Sequence, residues 1–189
     1  MRVIAGKYKR RNLSTLTGSD ITRPTADRVK ESLFNIISDS IENSIVLDLF
    51  AGSGALGIEA LSRGAKKAVF VEKNPQAFKI IQQNLHQLQI PSENFQLVNN
   101  DASLFLKNTI EKEKFDIIFI DPPYLSKWYE NALQELDVAN ICNQFCTVIF
   151  EMPLLLKIQL QSNSQDWAKV DERKYGKTKI EIWQKGQSE

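Results

Sequence analysis

Three short segments of this 189-residue chain combine residue types that can bind a small ligand and do chemistry on it. Segment 48–57 reads DLFAGSGALG and has a G-x-G-x-x-G spacing, segment 100–102 reads Asn-Asp-Ala, and segment 121–124 reads Asp-Pro-Pro-Tyr. Each one follows a short apolar run of the kind that forms a buried strand. We therefore predict that all three are turns at strand ends, where ligands bind in open α/β sheets.

The glycine-rich segment predicts a nucleotide-like ligand, because such glycines let the backbone turn tightly and approach the ligand closely. Glu72 follows Gly52 by 20 residues, at the end of the next predicted strand. A carboxylate at that position can accept hydrogen bonds from ribose hydroxyls. Asp48 disfavours a dinucleotide, since an anion at the strand tip repels a pyrophosphate. The same charge complements the ammonium and sulfonium groups of S-adenosylmethionine.

Asp101 has two interpretations. Taken alone it is a helix cap, since aspartate accepts hydrogen bonds from the free N–H groups of a first helical turn. In line with Asp48 and Glu72 it is a third acid along one sheet edge, able to accept a bond from an adenine amino group. We therefore count Asp101 and the adjacent Ala102 among the candidate cofactor-binding residues.

The Asp121-Pro122-Pro123-Tyr124 turn predicts the reaction. The exocyclic amine of a nucleobase is a poor nucleophile because its lone pair is delocalised into the ring, so its N–H bonds need acceptors. The Asp121 carboxylate and the Pro122 carbonyl can accept them, and Tyr124 can stack on the base. The prolines keep the segment rigid without competing backbone donors. This arrangement suits methylation of the amine of a flipped or unpaired base by direct in-line transfer.

Alternating apolar runs and amphipathic stretches predict the elements that hold these turns. Strands are predicted over 45–49, 68–71, 95–98, 115–120 and 145–150, with helices over 55–63 and 75–88 and a closing hairpin of strands 167–175 and 178–183. This alternation predicts an open, mostly parallel sheet with helices on both faces.

The first 38 residues are predicted to form an extension packed on a main domain of residues 39–189. Residues 2–13 alternate basic and apolar side chains as in a small hairpin, and apolar residues recur at helical spacing from Val29, with Thr25 as a candidate N-cap. Residues 1–30 hold eight lysines and arginines against two aspartates, although the whole chain has a net charge of +1. This asymmetry favours contact with a nucleic acid.

Composition excludes several other classes of protein. With 42% hydrophobic and 25% charged residues, the chain matches globular proteins rather than disordered, collagen-like or coiled-coil ones. It has no apolar run long enough for a membrane span and no secretory signal at its start, so we expect a cytoplasmic protein. Cys142, Cys146 and His86 suit neither a disulfide framework nor a zinc site. We expect no metal and a monomer.

The motifs together resemble the RsmD family of bacterial small-subunit rRNA guanine-N2-methyltransferases. The resemblance rests on Thr22-Arg23-Pro24-Thr25-x-x-Arg28-Val29-x-Glu31-Ser32-Leu33-Phe34-Asn35, the glycine loop and the Asp-Pro-Pro-Tyr turn. It extends from the start of the chain to the Gly176-x-Thr178 hairpin. The resemblance implies a Rossmann-like, seven-stranded S-adenosylmethionine-dependent methyltransferase. Its substrate would be the N2 amine of one guanine in the 16S rRNA of an assembling small ribosomal subunit.

The resemblance also implies roles for individual residues. The cofactor site would be formed by Phe50, Gly52, Gly54, Glu72 and Asp101, to which we add Asp48 and Ala102. The guanine would be held by Asp121, Pro122 and Tyr124. The RNA-facing residues would be Lys7, Arg10, Arg11, Arg23 and Arg28, and Thr25 would contact either the RNA or the cofactor. The loop 125–129 does not match the family pattern, so selectivity is least defined there.

Four other functions share parts of the pattern. An adenine-N6 methyltransferase acting on RNA or DNA would use the same Asp-Pro-Pro-Tyr turn, so that motif alone does not separate guanine from adenine. A protein-glutamine methyltransferase typically carries asparagine where Asp121 stands. An NAD-dependent oxidoreductase would use the glycine loop but leaves 121–124 unexplained. An RNA-binding assembly factor with a vestigial cofactor site has no support in these intact motifs.

Overall fold

A computed structural model describes residues 1–16, 24–108, 113–122, 128–158 and 166–186. The strands are β1 (Ile45–Asp48), β2 (Lys67–Val71), β3 (Phe95–Val98), β4 (Phe115–Ile120), β5 (Cys142–Pro153), β6 (Trp167–Tyr175) and β7 (Thr178–Lys185). The helices are α1 (Pro24–Ile36), α2 (Ser38–Ile41), α3 (Ala55–Ser62), α4 (Pro75–Gln87), α5 (Ala102–Asn108) and α6 (Trp128–Ala139). None of the described helices is long and apolar enough to cross a membrane.

The seven strands form one sheet in the order β3-β2-β1-β4-β5-β7-β6. β1 to β5 run parallel, and β7 pairs antiparallel with both β5 and β6. The predicted seven-stranded, mostly parallel sheet is confirmed. The chain order reverses between β1 and β4, so their carboxyl ends form the switch point where ligands bind in such sheets.

Two apolar cores cover the two faces of the sheet, because successive side chains of a strand point to opposite sides. On one face, which we call the α1 face, strand residues such as Phe119 and Ile149 pack with Phe34 of α1. On the other, the α6 face, Ile118 and Phe150 pack with residues of α5 and α6. The sheet is therefore fixed on both sides, and its loops project from a rigid frame.

Local sequence signals explain where two of the helices begin and how closely they pack. The Asn74 side chain accepts the Gln76 N–H at 2.8 Å, with Pro75 at the first helical position, so α4 starts as predicted. Gly57 in α3 lies directly against Phe70 of β2, where a Cβ would overlap the ring. A glycine is needed there for α3 to reach the sheet.

The predicted N-terminal hairpin is present and is anchored on α3. The Val3 N–H donates to the Arg11 carbonyl at 2.9 Å, and the Ile4 and Ala5 N–H groups donate to the Glu59 carboxylate at 2.8 and 3.0 Å. Glu59 is buried and also pairs with Lys30 and Arg63. Its charge is thus compensated where it is shielded from water.

Two of the differences from the sequence-based predictions have a clear physical reason. The candidate N-cap at Thr25 is wrong, because α1 already begins at Pro24 and includes Thr25 in its first turn. Proline fits a first turn because it has no N–H to leave unpaired. β5 is also longer than the predicted 145–150, because it gains three residues at each end beside β4 and β7.

Candidate active site

A cleft of about 320 Å³ opens at the carboxyl ends of the first four strands. It is lined by Leu49, Phe50, Gly52, Val71, Glu72, Lys73, Asn100, Ala102, Asp121 and Pro122. These residues come from the turns after β1, β2, β3 and β4. The three segments singled out in the sequence therefore meet in one place, as the parallel topology requires.

The glycine loop forms one wall of the cleft. Gly52 and Gly54 have φ angles of 54° and 78°, in the left-handed region that favours glycine. A Cβ on Gly52 would meet nothing closer than the Phe50 carbonyl at 4.0 Å, so this side of the loop is open to a ligand. Gly54 is buried, and a Cβ there would lie 3.1 Å from Ile81. Gly52 thus lines the cleft, whereas Gly54 shapes the loop behind it.

Glu72 fixes the glycine loop to the end of β2. Its two carboxylate oxygens accept the Gly52 N–H at 2.8 Å and the Asn74 N–H at 2.7 Å. The Asn99 side chain donates to the Glu72 carbonyl at 2.7 Å. Each carboxylate oxygen keeps a further lone pair, so Glu72 can still accept bonds from a ligand hydroxyl.

Asp48 is buried behind the glycine loop rather than on the cleft wall. Its carboxylate accepts the Gly57 N–H at 3.1 Å, which ties β1 to α3. Burial raises the pKa of Asp48 to about 7, the negative charge of Glu72 adds to this, and the Gly57 bond opposes it. Its predicted contact with the cofactor charge stays a prediction.

Asp101 caps α5. Its carboxylate accepts the Ser103 N–H at 2.9 Å and lies 3.7 Å from the Lys73 ammonium. The capping interpretation is confirmed, and contact of Asp101 with a cofactor stays a prediction. The neighbouring Ala102 is buried and lines the cleft.

Asp121 and Pro122 form the opposite wall. The Tyr129 hydroxyl lies 3.0 Å from the Glu151 carbonyl and 3.3 Å from the Pro122 carbonyl, so it links the end of β4 to β5. Tyr129 is buried and holds this wall in place. Pro123 and Tyr124 lie outside the described residues.

The Asp121 carboxyl has an unusual electrostatic environment. Although its surface is open to the cleft, protein atoms surround the group, and this desolvation raises the pKa of Asp121 well above its usual range. The nearby charges of Glu151 and Asp48 raise it further. Burial also raises the pKa of Glu151. Two acids that both resist ionisation thus lie beside each other, Asp121 directly after β4 and Glu151 in the neighbouring strand β5.

Several residues of the site were not predicted from the sequence. The Trp128 ring packs edge-on against Phe50, with ring centroids 5.2 Å apart, and so supports a residue that lines the cleft. Tyr129 and Glu151 support or adjoin the Asp121 wall. The sequence offered one signal for these residues, the two aromatic side chains in segment 125–129. That Trp128 packs against Phe50 follows only from the folded structure, because the two residues are far apart in the sequence.

The predicted RNA-facing cations fall into two groups. Lys7, Arg10 and Arg11 are exposed around the hairpin tip, where the Lys7 N–H donates to the Ser62 carbonyl at 2.7 Å in the last turn of α3. Since α3 begins at the glycine loop and rises about 1.5 Å per residue, the tip lies about 12 Å down the sheet from the cleft. Arg28 is exposed on α1, beside Arg173 in a groove of about 490 Å³.

Two predicted RNA contacts are not described. Arg23 lies outside the described residues, and the Thr25 side chain is likewise undescribed. Within the described ranges, no three His, Cys, Asp or Glu side chains are grouped to hold a metal. Cys142 and Cys146 are both buried and are not joined in a disulfide.

The strand order, the glycine loop and the Asp121 wall define a Rossmann-like methyltransferase fold. A solved structure of the Escherichia coli protein yhhF covers all of this chain and 99% of its own, with a TM-score of 0.84 and 29% identity. SMU.776, solved with SAH bound, covers 85% of this chain and 49% of its own, with a TM-score of 0.69 and 17% identity. That second likeness concerns the fold alone.

The chain belongs to the RsmD family. The family model described as "Conserved hypothetical protein 95" matches residues 1–184. Ribosomal RNA small subunit methyltransferase D of Haemophilus influenzae is 42% identical over 136 residues, which cover 72% of this chain and 70% of that protein. The Escherichia coli protein of that name is 37% identical over 137 residues, which cover 72% of this chain and 67% of that protein.

Proposed function

We propose that this protein transfers a methyl group from S-adenosylmethionine to the exocyclic N2 amine of a guanine in 16S rRNA. The substrate would be the rRNA of an assembling small ribosomal subunit. One observation carries the proposal: the glycine loop with Glu72 and the Asp121-Pro122 segment face the same cleft. A methyl donor and an amine acceptor must meet in this way. The relatives named as small-subunit rRNA methyltransferases support the substrate class.

The glycine-loop side of the cleft fits the cofactor. The whole cleft has a volume of about 320 Å³, which is in the range of small-molecule sites. On the glycine-loop side, Leu49, Val71 and Ala102 provide apolar surface for a purine. Glu72 would accept bonds from ribose hydroxyls, and the open side of Gly52 would allow close approach of the ligand. When bound, S-adenosylmethionine supplies an electrophilic methyl group on a sulfonium.

The Asp121 wall fits the amine. The Asp121 carboxylate and the second lone pair of the Pro122 carbonyl would accept the two N–H bonds, which orients the nitrogen lone pair towards the cleft. Most of the rate would come from this placement, because in-line transfer needs no covalent intermediate. The raised pKa of Asp121 suits a group that takes up the proton released from the methylated amine. Tyr124 would stack on the base.

RNA contact would involve both groups of cations. Arg28 of α1 would meet RNA on the α1 side, together with Arg23 and Thr25, which precede it in the sequence. Lys7, Arg10 and Arg11 would meet phosphates about 12 Å from the cleft. An extended or folded RNA can touch both groups at once, whereas a free nucleotide cannot.

The test is methylation in vitro. Purified protein and labelled S-adenosylmethionine are incubated with small ribosomal subunits that lack the modification, and the digested RNA is analysed by mass. N2-methylguanosine is the expected product. N6-methyladenosine would keep the mechanism and support the adenine alternative. No label, with cofactor binding intact, would contradict the proposed substrate and direct the search to DNA, protein or free RNA.

A further inference from the structure

Glu151 is a second carboxyl group beside Asp121. β4 and β5 are parallel neighbours with Ile120 paired to Phe150, so Asp121 and Glu151 occupy the next positions in register. Adjacent parallel strands lie about 4.8 Å apart. Phe119 and Ile149, two residues earlier on each strand, both belong to the core of the α1 face. By the alternation of the strands, both acids therefore point to that same face.

The position of Glu151 is fixed by its backbone. Its carbonyl lies 3.0 Å from the Tyr129 hydroxyl, which also contacts Pro122. Substitution of the Glu151 side chain leaves this link intact, so the acid can be tested separately from the scaffold. The side chain itself is partly exposed.

Among the described residues, neither acid forms an ion pair. The other charged strand residues on the α1 face are Asp48 of β1 and, on β6, Asp171 and Arg173, which are paired with each other at 3.1 Å. On α1, Arg28 and Glu31 lie beside Arg173. Two adjacent like-charged groups without a bound cation are unfavourable for folding, and such groups are concentrated at functional sites.

We propose that Glu151 is a specificity-determining residue that accepts a hydrogen bond from guanine N1–H while Asp121 accepts one from the N2 amine. The inference rests on the proposed function. Guanine presents N1–H and N2–H as neighbouring donors, and two neighbouring carboxylates match that pattern. Adenine presents its N6–H donor beside the N1 acceptor, which a carboxylate repels. The pair thus supplies the base discrimination that the Asp-Pro-Pro-Tyr turn alone does not.

The experiment compares wild type, Glu151→Gln, Glu151→Asp and, as a matched control, Glu93→Gln, which removes one exposed carboxylate in the short turn just before β3. Small subunits are prepared with either guanine or 2-aminopurine at the methylated position. 2-Aminopurine keeps the amine but has an unprotonated N1. Rates of methyl transfer, their pH dependence and the Kd for S-adenosylmethionine are measured, and folding is checked by thermal melting.

For Glu151→Gln we expect kcat/KM with guanine to fall roughly ten- to a hundredfold. The preference for guanine over 2-aminopurine should fall with it, because the glutamine amide can donate to an unprotonated N1. The acidic limb of the pH profile should move to lower pH, since the charge that raises the pKa of Asp121 is gone. Glu151→Asp should keep the preference, and Glu93→Gln should behave as wild type.

Two failures are distinguishable. Wild-type protein that forms no N2-methylguanosine would contradict the proposed function, and the role of Glu151 with it. A fully active wild type, together with a Glu151→Gln variant of unchanged base preference and unchanged acidic limb, would contradict only the role of Glu151. A Glu151→Gln variant that is slower, but keeps the base preference and the acidic limb of wild type, would mean that Glu151 only supports the fold, and would contradict its role in specificity.

Discussion

The two walls of the cleft are built in opposite ways. On the glycine-loop side, the acids in and beside the cleft wall are bonded to backbone N–H groups: Glu72 to Gly52 and Asn74, and Asp101 to Ser103. On the opposite side, Asp121 lines the cleft and Glu151 occupies the register position beside it, and neither acid forms an ion pair among the described residues. The acids on the glycine-loop side already have hydrogen-bond donors within the protein. The Asp121 side presents acceptors that a ligand with N–H donors would satisfy.

This difference indicates how affinity and selectivity are divided. A wall whose polar groups are already bonded binds a ligand mainly through shape and a few spare lone pairs. On the other side of the cleft, neither acid forms an ion pair among the described residues, so a partner without matching donors is disfavoured, because a polar group that loses water without gaining a hydrogen bond is costly. Cofactor affinity should therefore depend on the first wall and base selection on the second.

The largest expected effect comes from the second wall. Asp121→Ala should lower kcat/KM about 10²- to 10⁴-fold, because the variant loses the acceptor that orients the amine. The Kd for S-adenosylmethionine should stay within a few-fold, since the glycine-loop wall is untouched. Single-turnover methylation and calorimetry measure the two quantities. Asp39→Asn, an exposed acid of α2, is the control. A parallel loss of cofactor affinity would contradict the division between the walls.

Asp48 gives the next effect, this time on stability. Its pKa of about 7 in the folded state lies above that of the unfolded chain, so its stabilising contribution is present at low pH and lost as the pH rises through 7. The isosteric Asp48→Asn should remove that loss. At pH 8 the variant's free energy of unfolding should exceed that of wild type by about 2–4 kcal/mol, and at pH 4 the two should agree.

Chemical denaturation at both pH values measures the Asp48 effect. Asp39→Asn again serves as the control, because Asp39 is exposed. The alternative outcome is that wild type and Asp48→Asn differ by the same free energy of unfolding at pH 4 and at pH 8. This would mean that the hydrogen bond from the Gly57 N–H alone compensates the buried charge of Asp48. Asp48 would then resemble Glu72 rather than the acids of the second wall.

Gly52 tests the first wall with a smaller effect. Gly52→Ala should cost about 1 kcal/mol of stability for its left-handed φ of 54°, and should weaken S-adenosylmethionine binding roughly tenfold by filling the open side of the loop. Gly176 is a matched control, with a φ of 59° and nothing within 4 Å of an added Cβ. Gly176→Ala should show the same loss of stability and normal cofactor affinity. Equal affinities in both variants would contradict a ligand at Gly52.

Much of the fold could be predicted because its signals are local. Strands 95–98 and 115–120 were predicted to the residue, since apolar runs there are bounded by turn residues. α6 was not predicted, although Tyr129, Ala132, Leu133 and Leu136 recur at helical spacing, because residues 125–129 were assigned to a loop that takes in the first residue of this apolar stripe.

The site was predictable only where its residues lie at strand ends. The turns containing Gly52 and Asp121 had to meet once a parallel sheet was inferred. Glu151 lies inside β5, and a single acid within an apolar strand does not indicate from the sequence which residues it will lie beside. Its importance follows from the register of β4 against β5, which no local signal contains. Thr25 was predicted to cap α1 but lies in its first turn, a difference of one or two residues that is common at helix ends, where local signals do not fix the first helical residue.

The smallest expected effect lies outside the cleft, at the hairpin tip. The double variant Arg10→Ala/Arg11→Ala should weaken RNA binding a few-fold and reduce the slope of log K against log[salt] by about one to two, because each lost phosphate contact releases about one counterion fewer. Lys79→Ala, an exposed cation of α4, should leave the slope unchanged. The kcat at saturating RNA should also be unchanged, because the tip lies about 12 Å from the cleft and touches neither wall.

Unchanged salt slopes in the double variant would identify the hairpin tip as a solvated surface and leave RNA contact to the α1 side. A loss of kcat would instead mean that the hairpin positions α3 through Glu59, so that the glycine-loop wall depends on the extension that supports it.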